Sequence, residues 1–262
     1  MVHSLPQSRF GRALRRAALI SLGLPILVWL LTGGRSLAAG NPYTAGSSGY
    51  DVSYPDCSSP SSPTGTFAII GVTGGRAFTN NPCLASEVSA AVRQNATVSF
   101  YMNLNTAIGS TSSEGDTGPA GRCAKANKAC VDYNYGYNAA VAAYGATSEL
   151  VAAPVMWWLD IETGNSWSRS SALNDDVIEG AVDFLQTKGD VGIYSTAAMW
   201  TTIAGSTFQP GTLPVPGGQQ VGAAVQGNWV PASACPASAL FPNGVVWVIQ
   251  HSTTPYDQDS SC

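Results

Sequence analysis

Two acidic residues directly follow a strongly apolar segment of the chain. Residues 155–159 lead into Asp160 and Glu162, and Gly164 comes two residues later. Side chains alternate between the two faces of a strand, so both carboxyl groups point the same way, roughly 7 Å apart along the strand. Burial and the neighbouring negative charge favour the protonated form of at least one of them. Such a pair suits acid–base cleavage of a glycosidic bond, although a rim pair that only caps loops is the structural alternative.

Acidic residues near two other segments suggest further members of the same site. Asp51 lies in the apolar segment 49–53, and Asp257 follows the segment 245–250, with Asp259 two residues later. In a β/α barrel the active site forms where the strands end, so both positions are candidates. Asp51 is equally interpretable as an anchor for a loop. The later acids also fit a polar C-terminal tail, and Asp56 is interpreted as a turn residue.

Aromatic residues supply candidate surfaces for stacking on sugar rings. Large aromatic side chains mostly fill cores, and we expect this for Trp157 and Trp247. Trp167 and Trp229 are predicted to lie in polar loops, which favours them as sugar platforms. The candidate substrate-binding residues are Tyr101, Trp167, Tyr194, Trp229 and His251. His251 follows a predicted strand, where it either bonds an acid or is a core histidine.

The chain alternates between short apolar segments and helical patterns. Most of the apolar segments are continuous rather than alternating, which is typical of parallel strands covered on both faces. The predicted strands are 49–53, 67–72, 97–102, 155–161, 191–195, 221–225 and 245–250. The predicted helices are 84–94, 134–144, 175–188 with Asn174 as its N-cap, and 197–204. This order predicts one α/β domain, an irregular TIM-like β/α barrel, over residues 49–262.

The N-terminus has the organisation of a secretory signal. Four arginines between residues 9 and 16 precede an apolar run at 17–31 and a small-residue stretch at 36–39. We therefore predict a signal peptide over residues 1–39, a linker over 40–48, and a secreted or cell-wall protein. An uncleaved N-terminal anchor is the alternative, and only then do we expect a membrane as a partner.

Charge and composition limit the partners of the exported chain. All sixteen acidic residues but only seven of the twelve basic residues follow residue 39, which gives a net charge of about −9. This excludes nucleic acid as an expected partner, because phosphate binding needs clustered Lys and Arg. The few histidines and the absence of a Gly-rich phosphate loop argue against a metal, a nucleotide or another cofactor. We expect a monomer that binds a polysaccharide.

Six cysteines follow the predicted signal, an even number that indicates three disulfides in an exported protein. They are Cys57, Cys83, Cys123, Cys130, Cys235 and Cys262. Six cysteines allow 15 connectivities. Proximity along the chain favours pairing neighbours, 57 with 83, 123 with 130, and 235 with 262, but does not exclude the others. A zinc site is disfavoured because no CxxC pair occurs and residues 40–262 contain one histidine.

These segments resemble, in the same order, those of the family-25 glycoside hydrolases, the lysozyme-type N-acetylmuramidases. The resemblance extends over nearly all of the predicted exported chain. The matching segments are 49–53 with its Asp-x-Ser pattern, 67–75, the Asp-x-Glu motif at 160–162, 191–195 with Gly-x-Tyr, and 248–251 followed by 257–259.

The resemblance implies a β/α barrel that cleaves the β-1,4 bond between N-acetylmuramic acid and N-acetylglucosamine in peptidoglycan. It implies Glu162 as the general acid and Asp160 as the carboxylate that orients the acetamido group or assists the reaction. Asp51 and Asp257 are implied to complete an acidic cleft.

Two alternatives stay open. Family-18 chitinases also use an Asp-x-Glu strand end, but they have another Asp at the position of Trp158. A catalytically silent barrel that binds cell-wall glycan or a protein is favoured by the altered segment after Asp51 and by Gly74, where the resembled family often has Glu. A loop at 107–122 that filled the cleft would support this second alternative.

Overall fold

Eight strands close into a barrel in the computed structural model, which describes residues 40–58, 63–107 and 113–262. Around the barrel their order is β1, β2, β3, β6, β7, β8, β9 and β10. The strands are β1 Ser48–Val52, β2 Phe67–Gly71, β3 Thr97–Asn103, β6 Met156–Asp160, β7 Asp190–Tyr194, β8 Gly227–Pro231, β9 Val245–His251 and β10 Asp257–Ser261. Neighbouring strands from β1 through β9 are parallel, which confirms the predicted α/β barrel.

The barrel is irregular because its last strand runs against its neighbours. β10 pairs antiparallel with both β9 and β1. Only residues 252–256 connect it to β9, too few for the helical crossover that a parallel strand needs. The alternative of a polar tail at Asp257 and Asp259 does not hold, because both residues lie in β10. The segment lacks an apolar signal because its inward positions are Asp257, Asp259 and Ser261.

In the part of the chain that the structure describes, four helices cover the outside of the barrel. A small hairpin, β4 Thr117–Gly118 with β5 Gly121–Arg122, packs against one of them. The helices are α1 Leu84–Arg93, α2 Lys128–Thr147, α3 Ser171–Leu185 and α4 Ala197–Ile203. A short 3-10 helix, Tyr54–Ser58, follows β1.

Two predicted elements differ from the structure. The strand predicted at 221–225 is a loop, held by Gln186, whose side chain bonds both the N–H and the C=O of Ala223. The strand of this region is β8 instead. Helix α3 begins before Asn174, which is buried inside the helix and bonds Ser168 and the carbonyl of Ile203.

Two apolar clusters form the core. The larger lies between barrel and helices and includes Trp157, which is fully buried against Phe100. The smaller fills the barrel interior, where Trp158 and Trp229 meet. Tyr43, within the predicted linker, is buried there, stacks on Phe67 and accepts a hydrogen bond from the Trp158 indole at 3.1 Å.

Three disulfides join neighbouring cysteines along the chain. The pairs are Cys57–Cys83, Cys123–Cys130 and Cys235–Cys262, as chain proximity favoured. The first ties the 3-10 helix after β1 to the start of α1. The third ties the C-terminus to the loop that follows β8. Within the described part of the chain, no helix has the length and hydropathy required to cross a membrane, and the predicted signal at 1–39 lies outside the described residues.

Candidate active site

A cavity of about 370 Å³ lies at the end of the barrel where the parallel strands finish. It is lined by residues of β1, β3, β6, β7, β8, β9 and β10 and of the β9–β10 connection. They are Asp51, Ser53, Pro55, Asp56, Tyr101, Asp160, Glu162, Tyr194, Trp229, Gln250, Ser252, Thr253, Pro255, Tyr256 and Asp257. The described residues of loop 107–122 are not among them, so this part of the loop leaves the cavity unfilled.

Asp160 and Glu162 both face this cavity from the end of β6. Asp160 is the last residue of the strand and is 4% exposed, whereas Glu162 is only partly buried. The backbone between them is fixed by Ile161, whose N–H donates to the carbonyl of Tyr194 and whose carbonyl accepts from Ser195. The two carboxyl groups therefore sit at different depths, with Glu162 nearer the solvent.

Asn103 supports Asp160 from the neighbouring strand. The two residues are directly paired between β3 and β6, and the Asn103 side-chain amide donates to Oδ2 of Asp160. The hydroxyl of Thr73 in turn donates to Oδ1 of Asn103 at 2.7 Å, which fixes the orientation of the amide. Oδ1 of Asp160 is buried without a hydrogen-bond partner among the described residues. Asn103 was not among the predicted site residues, although a polar residue at the end of an apolar strand is a usable signal.

A second hydrogen-bonded chain crosses the cavity on the other side. The Gln250 side-chain amide donates to Oδ2 of Asp51 at 2.9 Å and accepts from the hydroxyl of Tyr194 at 2.8 Å. Asp51 pairs with Asp257 between β1 and β10, which places the carboxyl groups of both residues at the cavity. Gln250 thus holds together residues that lie far apart in the sequence.

A buried carboxyl group lies beneath this acidic wall. Asp259 is 1% exposed, and its Oδ1 accepts a hydrogen bond from the indole N–H of Trp229 at 2.9 Å. The prediction that Trp229 lies in a polar loop was wrong, because it belongs to β8 and is also 1% exposed. The centroid of its ring lies 4.4 Å from that of Tyr194 and 6.0 Å from that of Tyr101. Trp229 therefore forms the floor of the cavity rather than an exposed sugar platform.

Two of the predicted substrate-binding residues, Trp167 and His251, do not line the cavity. Trp167 does lie in a loop, but its indole N–H donates to the backbone carbonyl of Glu162 at 2.8 Å and its ring packs on the core. His251 ends β9, paired with Gln258 of β10, and is also absent from the cavity wall. Trp167 therefore supports the backbone that carries Glu162.

Burial raises the pKa of four acids at the cavity, Asp51, Asp160, Glu162 and Asp257. It raises the pKa of Asp160 well above its ordinary value, and the charges of Glu162 and Asp51 raise it further. Burial also raises the pKa of Glu162 and of Asp257. It raises the pKa of Asp51 to about 7, although the hydrogen bond from Gln250 acts in the opposite direction. The site therefore retains protonated carboxyl groups near neutral pH.

These shifts predict that the protein loses stability as the pH rises. A carboxyl group with a raised pKa binds its proton more tightly in the folded state, so the free energy of unfolding falls between its unfolded and folded pKa values. For Asp51 that window runs from the ordinary value of 3.8 to about 7. We expect a loss on the order of 2 kcal/mol, or roughly 4–8 °C in Tm, between pH ~4 and ~8.

Calorimetric Tm values across this pH range test the expectation. Asp51→Asn removes one of the titrating groups and should flatten part of the slope. A Tm that rises steadily from the acidic to the alkaline end would contradict it.

The described residues contain one grouping with ligand atoms close enough for a metal ion, Cys57, Cys83 and Glu87. Both sulfurs belong to the same disulfide, so neither is available as a thiolate ligand. The arrangement therefore does not constitute a metal centre.

Comparison with known proteins gives a consistent result for the fold. No protein-family model and no curated protein sequence matches this chain. Among solved structures, a family GH25 lysozyme from Aspergillus fumigatus is 14% identical with a TM-score of 0.55, covering 82% of this chain and 93% of that one.

Two further solved structures are similar over most of their length. A bacterial lysozyme from Streptomyces coelicolor is 17% identical with a TM-score of 0.53, covering 84% of this chain and 93% of its own. A muramidase from Trichobolus zukalii is 15% identical with a TM-score of 0.53, covering 82% and 93%. At these identities the likeness concerns the fold, and the resemblance inferred from the sequence is confirmed at that level. The chain therefore has the distorted β/α barrel of the GH25 lysozymes and muramidases.

Proposed function

We propose that this protein is an exported glycoside hydrolase that cleaves β-1,4 bonds of cell-wall peptidoglycan in the manner of a muramidase. The observation that carries the proposal is the placement of Asp160 and Glu162 together in one acidic cavity at the strand ends of a lysozyme-type barrel. The similar solved structures are those of lysozymes and a muramidase, which supports the choice of substrate. Three disulfides support export to an oxidising compartment.

Glu162 is assigned as the general acid because of its access to the substrate. A general acid must lie within hydrogen-bond reach of the leaving oxygen, and position takes precedence over pKa in choosing it. Glu162 is partly exposed in the cavity, whereas Asp160 lies at its buried base. Burial raises the pKa of Glu162, which favours the protonated form that donates.

Asp160 is assigned as the assisting carboxylate. Its Oδ2 accepts a hydrogen bond from Asn103, and we assign its buried Oδ1, which has no partner among the described residues, to a polar group of the bound sugar. As a neutral carboxyl group it donates to a carbonyl oxygen, and as an anion it accepts an N–H, the two groups that a sugar acetamide presents. Positive charge that develops on the sugar ring in the transition state favours the anionic form.

Asn103 is expected to be a positioning residue that acts through Asp160. Asn103→Ala removes the only described hydrogen bond to this carboxyl group and is expected to lower kcat by about tenfold or more. Loss of a donor to the anionic form also raises the pKa of Asp160, so the acidic limb of the pH–rate profile should move to higher pH.

The pH–rate profile separates this role from a structural one. A fall in kcat with an unshifted profile and a lowered Tm would indicate that Asn103 only stabilises the strand end. Asn103→Leu keeps a side chain of similar size but has no donor at any pH, and it should not rescue the profile.

Product analysis tests the proposed function. Purified peptidoglycan is digested with the protein, the products are reduced with borohydride, and the reduced sugar is identified by mass spectrometry. The proposal expects new reducing ends on N-acetylmuramic acid. New ends on N-acetylglucosamine would contradict the muramidase type, and no new ends would contradict the enzyme.

A further inference from the structure

A second cavity, of about 220 Å³, lies next to the first on the outer side of β1. Tyr50 and Val52, whose side chains belong to the layer between barrel and helices, line it together with residues of α1. Asp56 and Tyr256 line both cavities. A ligand bound in the first cavity can therefore extend into the second across the edge that these two residues form.

Helix α1 supplies one wall of the second cavity. Glu87, Ala90 and Arg93 line it and follow one another at three-residue intervals, so they share one side of the helix. The helix begins directly after Cys83, whose disulfide to Cys57 lies at the same cavity, and it ends at Arg93. The cavity therefore follows the helix away from the candidate active site.

The two cavities differ in the charged groups that they offer. None of the described residues that line the first is Lys, Arg or His, whereas the exposed side chain of Arg93 lines the second. A guanidinium stays charged, and its fork of donors matches a carboxylate. The side-chain amide of Asn81 donates to Glu87 at 2.7 Å, and burial raises the pKa of Glu87 to about 7, which reduces its negative charge near neutral pH. The second cavity thus offers an anion-binding group that the first lacks.

We propose that the second cavity binds the stem peptide of peptidoglycan, with Arg93 paired to a carboxylate of that peptide. This inference rests on the proposed function and adds a second binding site for the same substrate. The stem peptide is attached to the lactyl group of N-acetylmuramic acid, so a glycan strand held in the first cavity brings a peptide with it. Carboxylates make this branch anionic, which favours the cavity that offers a cation over the one lined by acids.

The dimensions of the second cavity suit a short extended peptide. Four extended residues span about 13–14 Å. The ten residues from Leu84 to Arg93 span about 15 Å of helix, so such a peptide reaches from the shared edge to the guanidinium. Between these ends, Ala90 and the buried side chains of Tyr50 and Val52 offer apolar contact to the alanine methyl groups of a stem peptide.

The test compares two forms of one glycan preparation. Soluble peptidoglycan strands are used either with their stem peptides or after an N-acetylmuramoyl-L-alanine amidase has removed them, and kcat/KM is measured on both by reducing-end release. We expect the peptide-bearing strands to have a kcat/KM roughly tenfold higher, mainly through a lower KM, because the peptide adds binding that is equal in ground and transition states. The lactyl carboxylate left on the stripped strands is too short to reach Arg93.

Variants locate the effect in the second cavity. Arg93→Gln keeps a polar side chain but removes the charge, and it should lower kcat/KM on peptide-bearing strands by about twofold to fivefold, the contribution of an exposed charge pair, without changing the value on stripped strands. Arg122→Gln is the matched control, because Arg122 is exposed and lines neither cavity. Ala90→Leu narrows the second cavity and should also affect only the peptide-bearing strands. The Tm of each variant reports on folding, and Ala90→Leu serves as the test if Arg93→Gln does not fold.

The outcomes separate the inference from the proposed function. Equal values of kcat/KM on the two substrates, or a higher value on the stripped strands, overturn the inference and leave the muramidase proposal standing. No cleavage of either substrate overturns both. A preference for peptide-bearing strands that persists in the folded variants at Arg93 and Ala90 places the peptide elsewhere and overturns the assignment of the second cavity.

Discussion

Glu162→Gln is expected to lower kcat on peptidoglycan by about 10²- to 10⁴-fold, the range that a general acid contributes. Gln keeps the size of the side chain but has no proton to donate to the leaving oxygen. The substitution removes a partly buried acid whose pKa is raised by burial, so the fold should be retained or slightly stabilised. The rate of reducing-end release measures the effect, and Tm reports on folding.

Glu149→Gln is the matched control for this change. Glu149 is exposed just beyond the end of α2, far from the residues that line the cavity, and the same replacement there should leave the rate unchanged. Activity of Glu162→Gln within about twofold of wild type would remove the general-acid assignment. A much larger loss in Asp160→Asn than in Glu162→Gln would reverse the roles of the two acids.

Gly180→Ala is expected to destabilise the protein by about 3 kcal/mol, the upper end of what overpacking a core usually costs. Helices α2 and α3 approach so closely that a Cβ on Gly180 would lie 2.0 Å from the backbone carbonyl oxygen of Tyr133. The facing Gly136 has the same constraint, with its Cβ 1.8 Å from the carbonyl oxygen of Val177. Backbone atoms cannot rotate away, so the helices must separate.

Gly145→Ala provides the control within the same pair of helices. A Cβ on Gly145 meets nothing within 4 Å, and Ala is favoured over Gly in a helix by about 1 kcal/mol. Chemical denaturation should show destabilisation for Gly180→Ala and a small gain for Gly145→Ala. Equal stabilities for these two variants would show that the close approach of the helices contributes little.

The helix pair matters to the site because it packs behind β6. Tyr144 of α2 contacts Trp157 of β6, with ring centroids 6.4 Å apart, and also contacts Phe184 of α3 at 5.9 Å. Trp157 points outward to this layer, while its neighbour Trp158 points into the barrel. The same alternation places Asp160 and Glu162 on the inner side, so helix packing fixes the position of both acids.

Sequence reasoning located these two acids because the information is local. An apolar strand, alternation of faces and two acids two residues apart suffice to place both carboxyl groups on one side of β6. Asp51 in β1 follows from the same logic. The order of strands and helices gave the α/β barrel, since continuous apolar strands separated by helices have few other arrangements.

The site residues and the strand that were not predicted from the sequence depend on contacts between residues distant in the chain. Gln250 bonds Asp51 across 199 positions of sequence, and Asn103 meets Asp160 only through the register of β3 and β6. β10 was not among the predicted strands, because its inward side chains are polar and complete the acidic wall. Trp229 was predicted to lie in a loop because its sequence neighbours are polar. Its indole N–H instead donates to the buried carboxyl group of Asp259.

The most direct measurement is a crystal structure of Glu162→Gln with a bound peptidoglycan fragment that spans the scissile bond. We expect the glycosidic oxygen to lie about 2.6–3.2 Å from the side chain at position 162, with Oδ1 of Asp160 in contact with the adjoining sugar. A fragment bound outside the cavity, or one whose glycosidic oxygen lies beyond the reach of residue 162, would contradict the catalytic assignment.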